Sequence, residues 1–192
     1  SAAAVEAAIT PKTKVLLVNT PSNPTGQVLN ADELNALAQV AKKHGLLVIS
    51  DEIYEQFSYD APPATMAGML DNLIVLNGFS KMAAMTGWRI GFAAGPEPII
   101  QQMNTLQQYT FVCAPSFAQY AAVVALRSDP SEKIAAYKRK RNLVYEGLVK
   151  AGFTVTKPGG AFYIFPEAPA GICASNNGGC ACGTGAPDGD AF

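Results

Sequence analysis

Four short apolar runs punctuate the first half of the chain: KVLLVN at 14–19, LLVIS at 46–50, NLIVLNGF at 72–79 and WRIGFAAG at 88–95. They lack the alternation of a half-exposed strand, so they predict strands of a largely parallel sheet covered on both faces. Between the first two, NADELNALAQVAKKHG at 30–45 has apolar positions at helical spacing, an Asn or Asp cap near its start and Gly45 as its stop. VEAAI at 5–9 reads as the end of another helix. The third and fourth runs follow each other closely, which predicts at least one antiparallel neighbour. From Pro96 the pattern becomes helical: PEPIIQQMNTLQQYTF, APSFAQYAAVVAL, then the long charged DPSEKIAAYKRKRNLVYEGLVKAG. Beyond it, FTVTKP and GAFYIF read as two short strands of a smaller sheet. The expected fold is α/β, with residues 1–127 forming part of a mostly parallel-sheet large domain. Residues 128–192 would form a connecting helix and the start of a small α+β domain, with the boundary near Ser128.

Composition narrows the class of partner. With 192 residues, 49% hydrophobic and 15% charged, the chain can bury a sizeable core and is too apolar to stay disordered. Fourteen basic and fifteen acidic residues give a net charge of -1, which offers neither a nucleic-acid footprint nor a polybasic membrane patch. A small-molecule partner is favoured. No apolar run has the length of a membrane span and the opening SAAAVEAAITPKTK has no signal-peptide pattern, so the expected location is the cytoplasm. The basic KRKR at 138–141 lies on a helix and reads as a solvated face. Cys113 stands alone, while Cys173, Cys180 and Cys182 crowd into a Gly-rich tail without paired metal-ligand spacing. Neither a disulfide framework nor a metal site is expected. His44 sits where a helix ends, and a cation there suits the helix dipole.

The chemistry-bearing residues fall at strand ends: Asn23 after the first run, Asp51 with Tyr54 after the second, Ser80 and Lys81 after the third, and Arg89 at the start of the fourth. Strand ends are where α/β proteins bind ligands. Each residue alone has a structural reading: Asn23 as a turn residue, Asp51 as a helix cap, Tyr54 as a core aromatic, Lys81 as a solvated surface cation and Arg89 as an ordinary strand residue. Together, an amine, a carboxylate, a phenol, an amide and a guanidinium match the needs of a phosphorylated pyridine aldehyde, pyridoxal phosphate.

The segments NTPSNPTG, SDEIYEQFSYD, NGFSKMAAMTGWRIGFAAGP and KPGGAFYIF occur in that order. In them the chain resembles the class I/II aminotransferases, the fold type I family of pyridoxal-phosphate enzymes, and most closely the aspartate and aromatic branch. The resemblance implies that Lys81 forms a Schiff base with pyridoxal 5'-phosphate and then carries the proton between the substrate α-carbon and the cofactor. It further implies that Asp51 keeps the pyridine nitrogen protonated and that Tyr54 and Asn23 donate to the ring oxygen. Arg89 would grip the phosphate with help from Ser80. Trp88 would serve packing.

The implied reaction moves an amino group between an amino acid and a 2-oxo acid in a homodimer. Other reactions on the same scaffold, such as a lyase step, share these residues. A cofactor-sensing domain of a transcriptional regulator would share them too. Where relatives often carry serine, three residues before the lysine, this chain has Gly78, which thins the phosphate contacts. The resemblance covers roughly residues 1–167 of a family whose members are about twice this length. An internal piece with a truncated sheet is therefore expected, exposing strand edges and helix-covering surface. The phosphate loop and ring-stacking aromatic of the family's N-terminal half have no counterpart here, nor does its arginine for the substrate carboxylate.

Overall fold

The computed structural model describes residues 1–168, so the cysteine-rich tail that sequence reading left without a metal or disulfide lies outside the described residues. The fold is mixed α/β, built on a four-stranded sheet in the order β1-β2-β3-β4. Strands β1 (Val15–Asn19), β2 (Leu47–Asp51) and β3 (Leu73–Gly78) run parallel, and β4 (Gly91–Ala94) returns antiparallel to β3. The expected reversal therefore falls between the third and fourth runs. Gly78 and Gly91 pair directly across it. A Cβ on Gly78 would come 3.0 Å from Gly91 Cα and 3.2 Å from the Ile90 carbonyl, so the absence of a side chain lets the two strands approach.

Helices α1 (Ala2–Ala8) and α2 (Ala31–Lys43) lie beside the parallel strands. Helix α2 starts at a capping box in which Asn30 Oδ1 accepts from Glu33 N–H and Glu33 Oε2 accepts from Asn30 N–H, each at 2.9 Å. Its buried Leu34, Leu37, Ala38 and Ala41 pack with Val18, Val48, Met66 and Leu73 of the sheet and the 62–70 loop. His44 ends this helix, and its ring meets Glu6 of α1, which also pairs with Lys43 at 2.6 Å. On β1 the alternate positions Val15 and Leu17 are 44% and 67% exposed. The expectation of a sheet covered on both faces thus fails at β1 among the described residues, because α1 and α2 pack on one side only.

Helices α3 (Glu97–Thr110), α4 (Ser116–Ala125) and α5 (Ser131–Lys150) follow. Ala118 and Ala122 of α4 close a second core with Phe79, Met85 and Ile90. Tyr109 of α3, Phe111 just after it, and Tyr120 and Val124 of α4 are exposed, the uncovered surface expected of a partial chain. FTVTKP and GAFYIF do not form strands. Near them there are two isolated bridges, Val155 to Pro166 just past GAFYIF, and Ser58 to Gly160. Pro158 and Pro166 lack the N–H that a ladder needs, and a left-handed turn at Ala161 (φ 53°) breaks the extended path.

Asn30→Ala removes half of the capping box and is expected to lower stability by about 1 kcal/mol, read as a reduced urea midpoint with unchanged slope.

Candidate active site

The parallel registers align three strand ends at one edge of the sheet. Asn19 lies opposite Asp51, and Asp51 opposite Leu76. The loops that leave this edge carry Asn23, Tyr54 and Lys81.

Asp51 is the last residue of β2 and is half-buried. Its Oδ1 accepts from the Ile53 N–H at 3.2 Å, a local turn that starts the path to Tyr54. Its carbonyl accepts from the Thr20 N–H at 3.2 Å and from the Asn19 side-chain amide at 3.3 Å. The Asn19 Oδ1 in turn accepts from the Asn23 N–H at 2.8 Å. Asn19 therefore ties the first loop to the second strand. The Asn23 side chain is exposed and forms no hydrogen bond among the described residues.

Tyr54 is buried, with its hydroxyl 2.6 Å from that of Tyr163. Its ring meets Phe162 and Tyr163 edge to face, with centroids 5.1 and 5.6 Å away. Lys81 Nζ lies 5.6 Å from the centre of the Tyr54 ring and 5.7 Å from that of Phe162, within reach of their π faces. Among the described residues this amine forms neither a hydrogen bond nor an ion pair. The Tyr163 hydroxyl is held above the ordinary phenol range, first by its hydrogen bond to Tyr54 and then by burial.

Ser80 is half-buried and its hydroxyl makes no hydrogen bond among the described residues. Arg89 does not stand in a strand. It follows the short 3-10 turn Thr86–Trp88 in a left-handed conformation (φ 50°), two residues before β4 begins. Its exposed guanidinium donates to the Thr86 carbonyl at 2.9 Å and forms no hydrogen bond or ion pair with Asp51, Tyr54 or Lys81. Trp88 is 44% exposed and lies 5.9 Å from Phe117. The structure thus brings Lys81 to Tyr54 and links Asn23 to Asp51 through Asn19, while Arg89 folds back on its own turn. One Asp51 oxygen, the Asn23 amide, the Ser80 hydroxyl and the Lys81 amine keep donor or acceptor capacity for a polar ligand.

The wall opposite Tyr54 comes from residues 158–163. The Gly160 N–H donates to the Gly26 carbonyl at 3.0 Å and the Ala161 N–H to the Phe57 carbonyl at 2.9 Å. A Cβ on Gly160 would fall 2.5 Å from the Phe57 carbonyl oxygen and 2.9 Å from Pro21 Cβ, so only glycine allows this contact. Arg141 of α5 holds the same segment. Its guanidinium donates to the Pro158 carbonyl and grips Asp60 at 2.8 and 3.2 Å, while Lys138 donates to the Tyr59 carbonyl at 2.6 Å and pairs with Asp60 at 3.2 Å. The reading of KRKR as a solvated face is corrected for these two residues. Arg139 and Lys140 are exposed, but the Arg141 side chain is only 4% exposed: Asp60 and the Pro158 carbonyl take its terminal nitrogens, while its buried Nε has no partner among the described residues. The Arg141 guanidinium beside Asp60 lowers its carboxyl to about 2. Burial pushes the Tyr59 hydroxyl, which donates to the Ala161 carbonyl, up to about 12.

Sequence reasoning assigned no role to Asn19, Asp60, Lys138, Arg141, Phe162 or Tyr163. Lys138 and Arg141 carried a signal, since a spacing of three places both on one helix face. For the others the signal lay only in contacts between distant segments.

The family profile of aminotransferase class I and II matches residues 1–173. The chain belongs to this family. It is 46% identical over 172 residues to aromatic-amino-acid aminotransferase 2 of Thermococcus litoralis, covering 85% of this chain and 44% of the relative. It is 47% identical over 168 residues to the aspartate aminotransferase of Pyrococcus abyssi, covering 83% and 43%. The crystal structure of an aromatic aminotransferase from Pyrococcus horikoshii superposes with a TM-score of 0.83 at 43% identity, over 86% of this chain and 47% of that one. An aspartate aminotransferase from Thermotoga maritima gives 0.83 at 37% identity, over 88% and 46%. The chain spans a little under half the length of the curated relatives it matches.

Gly160→Ala is expected to destabilise the fold by about 1–3 kcal/mol through overpacking, measured by urea denaturation. Asp60→Asn should lower stability at neutral pH. Because the folded carboxyl is depressed, its contribution is present above the unfolded value of about 3.9 and fades as pH falls toward about 2. Urea midpoints of the two proteins should therefore differ at pH 7 and converge in acid.

Proposed function

We propose that this chain carries the lysine-bearing half of the active site of a pyridoxal 5'-phosphate-dependent aminotransferase. The intact enzyme would move an amino group between an amino acid and a 2-oxo acid, working as a cytoplasmic homodimer. The observation that carries this reading is the Lys81 amine, unpaired among the described residues and set against the Tyr54 and Phe162 rings beside the carboxyl ends of the parallel strands.

The donor set fits the cofactor's chemistry: an amine, a carboxylate, a phenol, an amide, a hydroxyl and a guanidinium retain capacity for one polar ligand. When bound, the cofactor supplies an aldehyde for the amine and an electron-withdrawing ring. Lys81 would bind it covalently and, when released, take the proton from the substrate α-carbon. Asp51, with one oxygen engaged by the Ile53 N–H, has the other to accept a ring N–H. Tyr54 and Asn23 would donate to the ring oxygen, and Arg89 and Ser80 to the phosphate. Arg89 would have to turn its guanidinium away from the Thr86 carbonyl, leaving a rigid backbone position and a mobile fork. We place the boundary between large and small domains near Ser128, just before α5.

Absorbance titration of the purified chain with pyridoxal phosphate tests the reading. A near-visible band that is lost on borohydride reduction, leaves its label on Lys81 and is absent in Lys81→Ala is the expected result. No band, or equal labelling of the variant, would show that this chain forms no lysine site of its own.

A further inference from the structure

Tyr163 stands on the segment that α5 holds against the site, and the assignments above leave it without a task. Its hydroxyl lies 2.6 Å from that of Tyr54, a distance at which one phenol must donate and the other accept. The direction matters. If Tyr54 donated to Tyr163, its only hydrogen would be spent inside the protein. If Tyr163 donates, the Tyr54 hydrogen stays available to an acceptor in the site, and the chain of two hydroxyls polarises it into a better donor.

We propose that Tyr163 is a positioning residue of the Lys81 site, donating its hydroxyl hydrogen to Tyr54 so that Tyr54 presents its own to the bound ligand. This rests on the cofactor reading for the ligand's identity and on geometry for the pairing. Contacts of three neighbouring residues, Phe162, Ala161 and Arg141, support it. The ring of Phe162, next in the chain, has its centroid 5.1 Å from that of Tyr54 and 5.7 Å from the Lys81 amine, so the same turn builds both the wall and the donor. The left-handed Ala161 that aims this turn is held by its N–H on Phe57 and its carbonyl under the Tyr59 hydroxyl. Arg141 secures the start of the segment through the Pro158 carbonyl and Asp60. The hydrogen bond to Tyr54 and burial both raise the Tyr163 titration, and the Lys81 charge opposes them.

The test uses the full chain with ring-labelled tyrosine, and compares wild type with Tyr163→Phe, Tyr54→Phe and the double variant. Each variant keeps the ring and loses only the hydroxyl, and circular dichroism checks folding. Without cofactor, Tyr54→Phe is expected to lower the Tyr163 titration toward the ordinary phenol range, with burial still holding part of the rise. With pyridoxal phosphate, Tyr163→Phe should weaken binding roughly five- to tenfold, the loss of about one hydroxyl hydrogen bond, and move the pH midpoint of the bound band upward. The double variant should lose no more than Tyr54→Phe alone, because the relay acts through Tyr54. Tyr163→Phe that binds and titrates like wild type, or losses that add, would overturn the proposal. A wild-type chain that takes no label at Lys81 would instead overturn the cofactor reading. The cofactor-free titration then decides alone: a Tyr163 curve indifferent to Tyr54→Phe ends the pairing, and one that drops upholds it.

Discussion

The parallel pairing of β1, β2 and β3 is the constraint on which the rest of the molecule depends. A shift of one residue in either register would turn every strand side chain to the opposite face and carry the core of Val18, Val48 and Leu73 into solvent. The apolar face of α2, clamped at its start by the capping box, is what makes that shift costly. Once the registers are set, the polar ends of the strands have no freedom left. Asn19 must stand beside Asp51, and the loops bearing Asn23, Tyr54 and Lys81 must open from a common edge.

Around this edge the chain uses contacts between segments far apart in sequence. Gly26 and Gly160 let two backbones meet, and Arg141 spans from α5 to Asp60 and Pro158. The Arg141–Asp60 pair couples a nearly buried guanidinium to a carboxylate that is about half exposed, so its value lies more in fixing direction than in raw stability. Without it, residues 158–163 would keep their backbone hydrogen bonds to Gly26 and Phe57 and the bridge to Ser58 but lose the tie to α5. With it, the Phe162 and Tyr163 rings are delivered to Tyr54 and Lys81.

The uncovered surfaces fit the same account. Val15 and Leu17 on β1, and the outer faces of α3 and α4, are apolar in sequence and open to solvent here. The strands keep the periodicity of a sheet covered on both faces, and among the described residues nothing covers the second face at β1.

Local pattern made the strands, the helices and the reversal before β4 legible, because buried strands and amphipathic helices leave periods that survive in one dimension. It also identified the candidate chemistry at strand ends, since loops that follow parallel strands converge on one edge. It failed where the deciding contact joins separated segments. GAFYIF has the composition of a strand, yet prolines and a left-handed Ala161 make it a turn that displays aromatic rings. KRKR has the look of a solvated face, yet Asp60 draws two of its four cations inward. The sequence by itself therefore determined the sheet, its family and the lysine at its edge. Only the tertiary structure decided which side chains surround that lysine, because ion pairs and ring contacts depend on distance in space and leave no period along the chain.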